Sequence, residues 1–166
     1  MNFGGVKLTA VTAALLAFAM ACSGPSLQAY TPQDQTERDI IALLIQYQEA
    51  KMNCDLEAYL ACLHEHGEYH FGRGTMASKQ QLREWLPGFW AGLKTGNRKY
   101  YPMNREMITG NYILSGRFYN PDITVNEETA EARVLFMKWG WRLHHYISLV
   151  RENGQWRIVR LDWDTN

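Results

Sequence analysis

Nine residues near the C-terminus, KWGWRLHHY at 138–146, hold two tryptophans, two histidines and a tyrosine. Side chains of these types can line a ligand pocket, transfer protons, bind a metal or fill a sheet. The segments LHHYISLVRE and QWRIVRLDW that follow flank Asn153-Gly154, the strongest short-range signal for a hairpin turn. A bulge-free hairpin sets His145 opposite Asp162, Ile147 opposite Arg160 and Leu149 opposite Ile158, with His144 opposite Trp163 on the other face. A carboxylate facing an imidazole fixes its tautomer and raises its basicity, which makes His145 and Asp162 the first acid–base candidates. The competing reading is a half-exposed cross-strand pair that only steadies the sheet. Arg160, diagonal to this pair, either holds a substrate anion or neutralises Asp162.

His70, in EYHFG with Glu68 on the same strand face, is a second acid–base candidate. Tyr47 can aim a hydroxyl into an interior, or be a core residue with a tethered hydroxyl. Trp85 is expected in the core, on a helix. Trp139 and Trp141 flank Gly140 at a strand-to-strand corner, where they either wall a pocket or face a partner. With Tyr47 and Arg160, these three tryptophans make up the candidate ligand-binding set. The stretch HEHGEYH (64–70) invites a metal reading, but His64 should end a helix and His66 lie in a turn. That leaves no i, i+4 histidine pair on a helix and no cysteine pair, so no metal site is assigned. FGRGT lacks the lysine and helix of a phosphate loop, no Gly-x-Ser-x-Gly elbow occurs, and no cofactor is expected.

The elements that must position these residues begin after a targeting segment. Lys7 and the apolar run LTAVTAALLAFAM precede AMAC, a pattern that fits a secretory signal and is too short for a membrane span. Residues 1–21 therefore read as a signal peptide that looks like a bacterial lipoprotein signal, with Cys22 the lipidated residue. Cleavage at an ordinary Ala-x-Ala site, Ala19–Ala21, is the alternative. Either reading exports the chain, and the first anchors it at the cell envelope, on the periplasmic side in a Gram-negative cell. Residues 22–35, rich in Pro, Ser and Gln, read as a flexible tether. Residues 36–166, about 130 in all, suit one domain with one core.

Within that domain, Thr36 with Asp39 suggests a capping box for a helix that buries Ile41, Leu44, Ile45, Gln48 and Met52. Asp55 caps a second helix, LEAYLACLH, which holds Cys54 and Cys62 about 12 Å apart and so leaves both as free, buried thiols. GEYHFG (67–72) reads as a strand. Ser78 with Gln81 caps a third helix burying Leu82, Trp85, Leu86 and Phe89, with Pro87 expected to kink or interrupt it. Residues 94–116 read as a loop or extra strand. DITV and AEARVLFMKW then form a hairpin around NEET, ahead of the closing hairpin. Helices first and antiparallel strands after give an α+β domain whose helices cover one sheet face. Seventeen basic and seventeen acidic residues balance, and the cluster Lys94, Arg98, Lys99 and Arg105 reads as solvated surface, so no nucleic-acid partner is expected.

In order, IIALLIQYQEAKMNCDLEAYLACL, GEYHFG, FYNPDITVNEETAEARVLF and YISLVRENGQWRIVRLDW resemble the nuclear-transport-factor-2-like (NTF2-like) superfamily, in its SnoaL-like branch. The resemblance covers nearly all of residues 36–164. It implies a cone of curved antiparallel sheet wrapped around helices, an apolar pocket inside and frequent homodimers. The superfamily holds isomerases, dehydratases, cyclases and binding modules, so the fold does not fix the function. Scytalone dehydratase carries an aspartate and a histidine where this chain has Met52 and Phe118, neither of which transfers protons. That mechanism is not carried over. The expectation is an exported pocket protein for a small apolar or aromatic molecule. An isomerase, dehydratase or cyclase using the His–Asp pair, or an envelope interaction module dimerising through its sheet, are the alternatives.

Overall fold

Helix α1, Gln35–Asn53, starts two residues earlier than a Thr36–Asp39 capping box would set it. Asp34 is its N-cap, accepting the Glu37 N–H at 2.8 Å, because its side chain reaches the first-turn donors that the helix leaves unpaired. The computed structural model describes residues 24–70, 76–94, 116–138 and 141–163. The signal segment 1–21, Cys22, Trp139, Gly140 and the basic cluster other than Lys94 lie outside them. No described helix is long and apolar enough to cross a membrane.

Cys54 ends α1 in the left-handed region (φ 55°), and Asp55 then caps the short α2, Leu56–Ala61, accepting the Ala58 N–H at 3.1 Å. Both cysteines are free, as expected, although Cys54 is only half-buried. The chain leaves α2 sooner than the periodicity of LEAYLACLH predicts. Strand β1 is Leu63–His70, so His64 and His66 stand on a strand rather than at a helix end and a turn. Gly67 permits this path: a Cβ there would collide with the Tyr69 hydroxyl, which folds back to donate to the His64 carbonyl at 2.7 Å.

After the short β2 (Met76–Ala77), Ser78 and Gln81 form the expected capping box at the start of α3, Lys79–Lys94. Pro87 sits inside α3 without ending it, on the exposed face where the unpaired carbonyl can reach water. The buried stripe of α3 is Leu82, Leu86, Trp90 and Leu93, at i, i+4, i+8 and i+11. Trp85 falls one position off that stripe. It is 40% exposed and stacks on Phe89 at 4.8 Å, which corrects its expected place in the core.

Strands β3 (Arg117–Asn126), β4 (Thr129–Lys138), β5 (Trp141–Glu152) and β6 (Gln155–Trp163) complete one six-stranded sheet in the order β2-β1-β6-β5-β4-β3. All neighbours are antiparallel except β1 and β6, which run parallel because α3 and the β3–β5 meander separate them in the chain. Asn153 and Gly154 both have positive φ (52° and 76°), the conformation a two-residue turn needs to match strand twist. The helices pack on the sheet, α1 against β3 and β6 and α3 against β1, burying Ile40, Leu44, Leu86, Phe118, Ile147 and Ile158. Each such side chain contributes about 1.5–3 kcal/mol through removal of apolar surface from water.

The stretch read as a tether behaves differently from Gly24 onward. Leu27, in a 3-10 turn (Leu27–Ala29), is 1% exposed and belongs to the core. A bulge at Asn120-Pro121 turns an N–H of the edge strand β3 outward, and Asn120 donates it to the Pro25 carbonyl at 2.7 Å. Ser26 bridges Tyr119, and Tyr30 donates its hydroxyl to buried Glu37 at 2.6 Å. That hydrogen bond, with burial, pushes the Tyr30 phenol up to about 12. The segment covers a sheet edge whose N–H groups need partners.

Candidate functional site

The closing hairpin brings three of the candidate residues together, but not in the expected pairs. Next to the turn the register is the predicted one, with Glu152 opposite Gln155 and Leu149 opposite Ile158. Beyond it Val159 is an extra residue, a bulge, and Ser148 pairs with Arg160. His145 therefore faces Trp163, and Asp162 faces Tyr146 rather than His145. The predicted His145–Asp162 pair does not form.

Asp162 pairs instead with His70, across the parallel β1–β6 contact. His70 Nδ1 lies 2.7 Å from Asp162 Oδ1, which also accepts the Trp163 N–H at 2.8 Å. The His70 hydrogen bond is the main reason the Asp162 carboxyl is held below its usual range. The carboxylate accepts, so His70 donates from Nδ1, and this tautomer leaves Nε2 as its basic nitrogen. Arg160 Nη2 stands 3.6 Å from Asp162 Oδ2 and its side chain is largely exposed, so it balances Asp162 charge. Glu68, expected to join His70, is exposed.

His145 lies deeper and is surrounded by rings. Its centroid is 5.1 Å from Phe136, 5.3 Å from Phe118 and 5.4 Å from Trp163. His70 stacks on the same Trp163 ring at 4.4 Å with the planes parallel. Burial first, then the Lys51 ammonium and His70, push the His145 imidazolium down to about 3, so the ring is neutral near pH 7. Lys51 itself sits with its Nζ 4.5 Å from the Phe136 centroid. Among the described residues, His145 Nδ1 is buried without a hydrogen-bond partner.

Gln48 repeats that feature from the helix side. It is 2% exposed in the middle of the apolar face of α1, and its Oε1 accepts the Phe118 N–H at 2.6 Å. Its Nε2 is buried with no partner among the described residues. Phe118 thus joins both groups, its backbone on Gln48 and its ring against His145. Tyr47 stacks on Phe118 at 6.2 Å, and its hydroxyl shares a hydrogen bond of 3.2 Å with that of Tyr59. Burial raises the Tyr47 phenol well above its ordinary value and that of Tyr59 to about 12, so both remain protonated.

The arrangement is an aromatic interior with a few inward polar groups, a composition suited to small-molecule sites. Of the candidates, His145, His70, Asp162 and Tyr47 lie in or beside it, Arg160 borders it through Asp162, and Trp85 stands on the outer side of α3. Trp141 opens β5, and Trp139 lies outside the described residues. Sequence reading missed Gln48, Phe118, Phe136 and Trp163 as site residues. Only Gln48 carried a signal, a polar residue inside an apolar helical stripe. A surface groove of about 390 Å³ beside α1 and α2, lined by Ala42, Ile45, Gln46, Glu49, Asn53 and Ala58, contains none of these groups. No set of three or more metal-ligating side chains converges among the described residues.

No protein-family profile and no curated protein sequence matches the chain. Solved structures do. An NTF2-like protein with a cystatin-like fold from Novosphingobium aromaticivorans is 17% identical at a TM-score of 0.55, over 96% of this chain and 90% of its own. A protein of unknown function from Mycobacterium tuberculosis is 20% identical at 0.55, over 76% of this chain and 74% of its own. A second Novosphingobium aromaticivorans protein, provisionally named a scytalone dehydratase, is 15% identical at 0.53, over 78% and 83%. The chain has the NTF2-like, cystatin-like fold, with helices followed by a curved six-stranded sheet.

Proposed function

We propose that this chain is an exported pocket protein of the SnoaL-like type, anchored by lipid at Cys22, whose cone binds a small uncharged apolar or aromatic molecule. One observation carries the binding reading: of the three buried side-chain atoms without a hydrogen-bond partner among the described residues, His144 Nδ1, His145 Nδ1 and Gln48 Nε2, the last two lie beside the aromatic interior. Leaving a buried donor or acceptor unsatisfied costs about 1–3 kcal/mol. A ligand with one or two hydrogen-bonding atoms on an apolar body removes that cost while its rings pack on Phe118, Phe136 and Trp163. The neutrality of His145 supports an uncharged ligand. Native mass spectrometry of protein isolated from its own membranes tests this: a retained small molecule is expected, and a bare mass for the freshly isolated protein argues against it. The same spectrum reports whether the chain is a homodimer, the oligomeric state we propose for it.

A second reading rests on the His70–Asp162 contact. A carboxylate-oriented imidazole beside a neutral, buried one can take a proton from a bound molecule and return it elsewhere, as an isomerase or dehydratase requires. Under this reading Asp162→Asn abolishes turnover yet leaves the retained ligand in place, whereas turnover surviving the substitution removes the enzyme reading.

A further inference from the structure

The lipid anchor and the folded domain are closer together than the composition of residues 22–35 suggests. Gly24 adopts φ +69°, and a Cβ there would lie 2.7 Å from Asn120 Oδ1, so glycine allows the chain to run against β3. Pro25, Ser26 and Leu27 are then fixed by the Asn120 hydrogen bond, the Tyr119 bridge and burial in the core. Tyr30 and the Gln33 N–H both bind the buried Glu37 carboxylate, which secures the other end of the segment. One residue, Ser23, separates Cys22 from Gly24, and two extended Cα-to-Cα steps span at most about 7 Å. A free linker of the whole stretch 22–35 would instead let the domain wander tens of ångströms from the bilayer.

We propose that the anchored domain sits flush on the membrane, with the bulged end of β3 around Asn120 beside the lipid, because the chain from Gly24 onward is packed on the fold. This rests on the lipid anchor proposed above. The partner is a bilayer surface, reached through the acyl chains on Cys22. Strand β1, near the opposite edge of the sheet, lies four strand spacings from β3, about 19 Å along the sheet.

Two measurements on the full chain separate the anchor from the geometry. In detergent phase partitioning of bacterial membranes, wild type is expected in the detergent phase and Cys22→Ala in the aqueous phase. If both are aqueous, the anchor reading falls and this inference falls with it. The lipidated protein is then placed in phosphatidylcholine vesicles carrying a nitroxide on the headgroup. A fluorophore is attached at Asp122→Cys or Glu65→Cys, both exposed positions, in a Cys54→Ser background with Cys62 left buried. The Asp122 label should be quenched several-fold more than the Glu65 label. Inserting about ten Gly and Ser residues before Gly24, a coil about 18 Å across, should erase that difference without releasing the protein. Equal quenching of the two labels in the protein without the insert overturns the inference while leaving the anchor intact.

Discussion

The two buried histidines, His70 and His145, stack on the same indole and yet occupy opposite chemical situations. His70 is held by a carboxylate at 2.7 Å, at the strand ends where Asp162 still meets solvent and Arg160. His145 has three rings around it, no carboxylate partner and a buried nitrogen without a hydrogen bond among the described residues. The difference comes from one bulge residue, Val159, which shifts Asp162 away from His145. What separates a carboxylate-paired imidazole from one enclosed by rings is therefore the partner each strand register supplies. The residue type is the same at both positions.

Replacing His145 should break the comparison most strongly. His145→Leu keeps a similar volume and removes the unpaired nitrogen, so the unliganded protein should gain about 1 kcal/mol in urea unfolding. The same change should abolish retention of the small molecule, the trade of function for stability expected where a site stores an unsatisfied group. A loss of stability with unchanged retention would show that His145 is only packing.

Acid sharpens the contrast, because the two sites titrate in different windows. His145 is depressed below its unfolded value of 6.5, to about 3, so the unfolded chain binds a proton that the folded chain refuses. Stability should fall as pH drops below 6.5, by up to about 2 kcal/mol at pH 5, and His145→Leu should flatten that slope. Asp162 is also depressed, from 3.8, chiefly by its His70 hydrogen bond, and its contribution is present above that value and lost only in stronger acid. Thermal unfolding of Asp162→Asn should therefore depart from the wild-type pH dependence below about pH 4, where the wild-type carboxylate takes up its proton. The smallest effect is expected at Arg160. Arg160→Gln should change stability at pH 7 by well under about 1 kcal/mol, since the ion pair is long and solvated.

Much of this fold was legible because local chemistry and global packing agree in it. Asp55, the Ser78–Gln81 box and Asn153-Gly154 each satisfy backbone groups that their element leaves unpaired, so their signals survive folding. The boundaries that moved did so for tertiary reasons. LEAYLACLH has helical periodicity through Leu63, but pairing with β6 takes Leu63 into a strand. Residues 24–34 have a linker composition, yet the open edge of β3 recruits them. The site was legible by residue type and not by pairing. His70, His145 and Asp162 stood out, whereas the Val159 bulge lies between Ile158 and Arg160 with no glycine or proline to mark it. A single unmarked residue inverted the predicted partnership, since side chains alternate every residue along a strand. Gln48 reads as one more position on a buried stripe, which it is, and its amide ties that stripe to the Phe118 N–H of β3.

The most direct test of the account is native mass spectrometry of wild type and His145→Leu, each isolated from its native membrane. The account predicts a small uncharged molecule retained by wild type and absent from the variant, with both proteins folded. The same molecule retained equally by both would contradict it.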